Sequence, residues 1–246
     1  MSETWFAPIR AYCERGDAGF WAEPLNAVSN GAFLIAAAAA AWRERREGPD
    51  PAARALAALV AIVGIGSFLF HTYAVRWSLF ADVIPIALFI YAYFLLAMRR
   101  FFGLGVGAAI AATLGFAAFG AGLTPALDAA TGLSVAALTN GSFGYLPAVL
   151  ALLGVGAGLL RPQGCALGPG RRQAGLALIA VATLFCVSLA FRTADVALCA
   201  SWPTGTHFVW HILNAAVLYG LIATALRFRA QATAAQGAFL ARPSNP

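Results

Sequence analysis

Histidine is scarce in this chain of 246 residues: there are three, and two of them share one short run, Gly205-Thr206-His207-Phe208-Val209-Trp210-His211-Ile212-Leu213. At about 3.6 residues per helical turn, His207 and His211 leave the same face one turn apart, close enough for two imidazoles to grip one metal ion. The third, His71, ends the apolar run Gly64-Ile65-Gly66-Ser67-Phe68-Leu69-Phe70-His71, with Ser67 four residues before it on the same face. Asp82 follows where the next apolar stretch begins. Ionisable groups at membrane depth are costly, so each is read as a functional group with a partner. Three histidines and a carboxylate drawn from separate helices are what a catalytic zinc needs: three protein ligands, an open position and a base beside it. Two other readings use the same residues, namely hydrogen-bonded structural histidines, or a haem held by His71 and a partner.

The elements that must position these residues are membrane helices. With 61% hydrophobic and 11% charged residues, the chain is far more apolar than a soluble domain, where about a quarter of residues are charged. Apolar runs of about twenty residues are each enough to cross roughly 30 Å of hydrocarbon. Seven are expected, at 25–42, 56–74, 81–98, 103–122, 142–160, 174–192 and 206–226. The fold class is thus all-α with seven transmembrane helices. It divides into an amino-terminal segment 1–24, a helical domain 25–226 and a tail 227–246 whose Arg242-Pro243-Ser244-Asn245-Pro246 end is expected to be disordered. No apolar h-region precedes the first span, so no signal peptide is expected. Small residues such as Gly103 with Gly107 and Gly154 with Gly158 are candidates for close helix approach.

All sixteen basic residues are arginines, so sidedness can be read from arginine alone. Arg43, Arg45, Arg46, Arg54, Arg99, Arg100, Arg161, Arg171, Arg172, Arg227, Arg229 and Arg242 follow the odd-numbered spans; only Arg10, Arg15, Arg76 and Arg192 fall on the other side. The positive-inside bias then places the amino terminus outside and the carboxyl terminus in the cytoplasm, which an odd number of spans allows. On that topology the protein is an integral multi-pass membrane protein of bacterial inner-membrane type or equivalent. Ser67, His71, Asp82, His207 and His211 then share one depth near the extracytoplasmic face. The net charge of +6 is a topology signal and not one for nucleic acid, since no aromatic-rich basic patch accompanies it.

Of the four cysteines, Cys13 and Cys199 fall on the outer face, where a disulfide can persist, while Cys165 is cytoplasmic and Cys186 intramembrane. Sequence alone leaves open whether any of them pair. In the amino-terminal segment, Glu14, Asp17 and Glu23 lie within ten residues. Three such carboxylates can wrap a hard cation such as calcium, or can simply be solvated. At the outer end of the sixth span, Arg192 and Asp195 are expected to form an ion pair that fixes the loop carrying Cys199.

Taken together, Ser67-x-x-x-His71, Asp82, His207-x-x-x-His211, Cys13-Glu14 and the run Glu23 through Asn30 resemble the alkaline ceramidases, a family of seven-helix intramembrane hydrolases that shares a superfamily with the progestin and adiponectin receptors. The resemblance spans about residues 11 to 220. It implies a zinc amidase that cleaves ceramide-like membrane lipids into fatty acid and sphingoid base. It further implies His71, His207 and His211 as zinc ligands, with Ser67 and Asp82 as catalytic residues. A calcium site would map to the backbone of Tyr12 and to Glu14 and Glu23, and an outer disulfide to Cys13 and Cys199. The leading aspartate of that calcium site corresponds to Ala11, and the segment before Glu23 is two residues shorter, with Asp17 available in its place. A receptor-like or structural membrane protein needs only the filled metal site, and a haem-binding electron carrier would use the histidines differently.

Overall fold

A computed structural model describes residues 2–161 and 170–240. Cys165 and the carboxyl-terminal end at Arg242 lie outside the described residues. Seven helices are long and apolar enough to cross a membrane: α1 (Pro24–Glu47), α2 (Pro51–Tyr73), α3 (Arg76–Phe102), α4 (Val106–Thr131), α5 (Ser142–Leu160), α6 (Arg171–Leu198) and α7 (His207–Leu240). Among the described residues there is no strand, only an isolated bridge between Pro8 and Val75.

Local chemistry sets where these helices begin and end. Pro24 and Pro51 occupy first-turn positions of α1 and α2, where a missing N–H costs nothing. The Asp50 side chain caps α2 by accepting from Ala53 N at 3.2 Å. α2 stops at Ala74, which takes the left-handed region at φ 45°. That conformation is costly for an alanine, and two hydrogen bonds hold it, Ala74 N to Phe70 O at 2.8 Å and Ile9 N to Ala74 O at 2.7 Å. His71 therefore sits in the last turn of α2, tied to the amino-terminal segment.

The helices outrun the apolar stretches that predict them, because the backbone ladder continues through arginine-bearing turns. α3 starts at Arg76, so Asp82 lies well inside the helix and not at its first residue. α7 runs on to Leu240, making most of the expected tail a continuation of the last helix.

α7 runs through the middle, against α1, α2, α3 and α6; α2 also packs on α1 and α3, and α5 on α6. α4 touches the edges of α3 and α5 and is the least buried of the seven, which fits its Ala- and Gly-rich sequence. Phe33, Phe89, Leu178 and Ile222 fill the interior, whereas Ile35, Ile62, Leu88 and Leu114 face outward, as helices surrounded by lipid require. Of the glycines expected at close approach, Gly158 alone has a near neighbour, the Phe102 ring of α3, 3.2 Å from an added Cβ. Gly103 ends α3 at φ 66°, and nothing lies near a side chain built at Gly107 or Gly154. The tight contact joins Gly156 of α5 to Gly175 of α6, where an added Cβ on either would come within 3.1 Å of the other's carbonyl oxygen.

Candidate metal centre

The start of α7 is held by α6. The Asp195 carboxylate accepts from Thr206 N at 2.7 Å, His207 N at 2.9 Å and Cys13 N at 3.0 Å. A negative charge at the positive end of the helix dipole thus fixes where His207 begins. Gly205, at φ 61°, passes so close to Asp195 and Cys13 that a side chain there would strike both. A disulfide joins Cys13 to Cys199 with Cα atoms 5.2 Å apart, and Cys186 is an exposed free thiol. Asp195 and Arg192 do not pair with each other. Asp195 serves the helix terminus, while Arg192 donates to Asn140 O, to Ser142 Oγ at 3.3 Å and to Tyr12 Oη at 3.4 Å.

His71, His207 and His211 are 0%, 2% and 1% exposed, and their nitrogens lie within 4.8 Å of one another. Each of two rings is oriented by a hydrogen bond at its far nitrogen. His71 Nδ1 meets Glu23 Oε2 at 2.6 Å. His211 Nδ1 meets Ser29 Oγ at 2.7 Å, and that hydroxyl donates onward to Asn26 O at 3.0 Å. Both Nδ1 atoms are therefore donors, which leaves Nε2 with its lone pair free to bind a metal. The His207 ring stacks on Tyr12 with centroids 3.6 Å apart. His71 Nε2, His211 Nε2 and His207 Nδ1 are buried without hydrogen-bond partners. Structural histidines would have theirs satisfied, so this set fits a metal ion such as zinc in donor type, number and spacing.

Ser67 and Asp82 face each other across α2 and α3. Two residues make this contact possible. Pro85 has no N–H to give the carbonyl of Ala81, four residues back in α3. Gly66 lies directly against that carbonyl and against Asp82 N, leaving no room for a side chain. One Asp82 oxygen, Oδ1, has no partner.

The residues expected to hold calcium also make hydrogen bonds within the chain. Glu14 accepts from Leu25 N at 2.7 Å and Asn26 N at 2.8 Å, capping α1. Asp17 accepts from Gly19 N at 2.6 Å, and Tyr12 packs on His207. Glu23 is ion-paired to Arg15 and accepts from Asn26 Nδ2 at 3.0 Å. Burial disfavours its charge, but the His71 and Arg15 hydrogen bonds outweigh that and hold its carboxyl below the usual range. Arg15 also donates to His71 O at 2.8 Å. Its guanidinium thus sits among oxygens of Glu23 and the end of α2. Among the described residues, the histidine trio is the one group of three or more potential ligands within metal-binding distance.

An apolar cavity lies between α3, α5, α6 and α7, lined among others by Phe89, Phe94, Leu152, Val155, Leu178 and Leu221. It begins next to the polar centre: its lining residues Ile86 and Asn214 stand one turn beyond Asp82 and His211.

Neither a family model nor a curated protein matches the chain. The likeness to alkaline ceramidases accordingly rests on the residues quoted above. Several orienting residues carried no expectation in that role: Arg15, Ser29, Asn26 and Asp195. A signal for part of this set exists in the sequence, since Glu23, Asn26 and Asn30 fall at i, i+3 and i+7 and so mark a polar face on an otherwise apolar first span.

Proposed function

We propose that this protein is a zinc-dependent amide hydrolase of the membrane, acting on ceramide-like lipids to give a fatty acid and a long-chain amine. One observation carries it: three buried, unpartnered histidine nitrogens converge within 4.8 Å beside the Ser67–Asp82 pair. His71, His207 and His211 are the residues that would hold the ion. Zinc in such a site supplies Lewis acidity and lowers the pKa of water. Asp82, with a free oxygen, accepts a proton from the attacking water and delivers it to the departing nitrogen as the C–N bond breaks. Ser67 lies beside Asp82, and its hydroxyl donates to the amide oxygen as that oxygen gains negative charge. The apolar cavity receives an alkyl chain of the substrate. By the arginine bias, the centre faces the extracytoplasmic side.

The test is metal analysis combined with cleavage of fluorescent ceramides by the purified protein. About one zinc per chain is expected, together with release of labelled fatty acid. Asp82→Asn should keep its zinc and lose turnover by about 10²- to 10⁴-fold. Full zinc occupancy after replacing both His207 and His211 by Ala would refute the site. A zinc-filled protein that cleaves none of these amides would instead be receptor-like or structural. Cleavage of impermeant substrate by intact cells reports the side.

A further inference from the structure

In the half of the bundle that holds the histidines, the seam between α1 and α2 contains a groove of about 290 Å³, several times the roughly 30 Å³ of a water molecule. It lies outside the metal centre. The two helices touch behind it at Gly64, where an added Cβ would come within 2.8 Å of Phe33 Cβ, and the Phe33 ring packs in turn on His211 with centroids 6.3 Å apart. Val28, Leu34 and Ile65 line the groove and are 67%, 46% and 53% exposed, so it opens to the lipid around the helices. At its end Phe68 packs against the rings of Phe20 and Trp21, 6.5 and 6.3 Å away. Trp21 is itself exposed, as aromatic side chains at a membrane interface are. No charged side chain lines the groove, and one polar side chain does, that of Asn30. Asn30 is 2% exposed; its Nδ2 donates to Asn26 O at 2.8 Å, and its Oδ1 is buried without a hydrogen-bond partner. An acceptor left unpaired in an apolar wall costs stability comparable to a lost hydrogen bond, a cost that a ligand bringing a donor removes.

We infer that this groove is a second lipid site, separate from the metal centre, and that it binds a neutral long-chain alcohol of the bilayer. The alkyl chain lies between α1 and α2, and the O–H donates to Asn30 Oδ1. Hydrogen-bonding capacity selects the ligand. With Nδ2 engaged by Asn26 O, the amide has an acceptor to offer. The ester carbonyls of ordinary diacyl phospholipids are acceptors too and leave it unpaired, whereas a hydroxyl supplies the donor. A charged headgroup finds no counter-charge in the lining, so the lipid is uncharged where it meets the groove. Depth agrees with this assignment. Asn30 follows Pro24, the first residue of α1, by six positions, about 9 Å of helix, which sets the hydroxyl just below the interfacial aromatic rings and leaves the apolar lining to the chain. Occupancy also bears on the histidines: Ser29, the preceding residue, orients His211 through the 2.7 Å contact to Nδ1, and a lipid seated against Asn30 braces that turn of α1.

The probe is hexadecanol bearing a photoreactive diazirine on its chain, added to the purified protein in phosphatidylcholine vesicles, with plain hexadecanol and its methyl ether as competitors. Crosslinks mapped by mass spectrometry should fall within residues 27–34 and 64–68. Hexadecanol should compete about ten-fold better than the ether, a difference of about 1.4 kcal/mol, because the ether brings no donor to the buried acceptor. In Asn30→Leu the crosslinks should remain and the two competitors become equal. Gly31→Leu fills the groove while keeping Asn30, since no atom lies within 4 Å of a Cβ placed there. Crosslinking at these residues should then disappear, with the melting temperature in the absence of alcohol at its wild-type value. Equal competition by alcohol and ether in wild type overturns the inference, as do undiminished crosslinking in Gly31→Leu and crosslinks confined to other faces of the bundle; none of these outcomes requires Asn30→Leu to fold. Hexadecanol has no amide to cleave, so the result is independent of the hydrolase reading.

Discussion

At the level of single residues, the candidate metal ligands were legible and their supports were not. Three histidines in an apolar chain stand out because a polar ring at membrane depth needs a reason. Glu23 and Ser29 act through contacts 48 and 182 residues away in sequence, which only the assembled bundle reveals. Glu23 illustrates the difference: its carboxylate suggested a calcium ligand, yet it is shared between Arg15, Asn26 and His71 Nδ1. A carboxylate behind a metal-binding histidine fixes the tautomer and raises ligand basicity. Glu23→Gln is therefore expected to lower zinc affinity by about 10- to 100-fold, measured by competition with a chelator of known affinity. Ser29→Ala should weaken it too, by less, since Asn26 O remains beside His211. Wild-type affinity in Glu23→Gln would show that Glu23 merely anchors Arg15.

The helices themselves follow from hydropathy, but their ends and contacts do not. Apolar runs locate seven spans, whereas helix hydrogen bonding takes in Arg76 at the start of α3 and Arg227 and Arg229 in α7. Glycine was abundant enough to hide which positions matter. Gly66 matters because α2 meets α3 there without an intervening side chain, against a carbonyl that Pro85 leaves without its helical donor. A methyl group at this position must push Ala81 and Asp82 away from Ser67. Gly66→Ala is expected to cost about 1–3 kcal/mol in stability, as overpacking does. Turnover should fall by about 10²-fold, the scale on which a misplacement of roughly 1 Å is felt. Gly115→Ala is the control, for nothing lies near a side chain at that glycine on α4. Thermal melting and ceramide cleavage measured on both variants decide the matter; equal behaviour of the two would remove the close approach from the account.

Across the whole molecule, charge is segregated between the two ends of the bundle, and the end remote from the histidines has its own anchor. Asp50, 2% exposed, accepts from Arg100 at 3.1 Å and is ion-paired to Arg100 at 2.8 Å and to Arg229 at 3.3 Å. It thereby joins the loop before α2 to the end of α3 and to the later part of α7. Arginine counting reads the segregation but cannot place one aspartate among three helices. Burial works to raise the carboxyl pKa of Asp50, but the Arg100 hydrogen bond, the Ala53 N–H and the two guanidinium charges together hold it below the usual aspartate value. A depressed folded pKa means that ionised Asp50 stabilises the fold fully above the unfolded value of about 3.9, and that this contribution disappears as pH falls through the folded pKa. Asp50→Asn should therefore melt below wild type at pH 7, with the gap narrowing as pH drops below about 4. The measurement is the difference in melting temperature between the two proteins across that range. A gap that stays constant down to pH 2 would mean that Asp50 acts through its shape and cap alone, with no contribution from its charge.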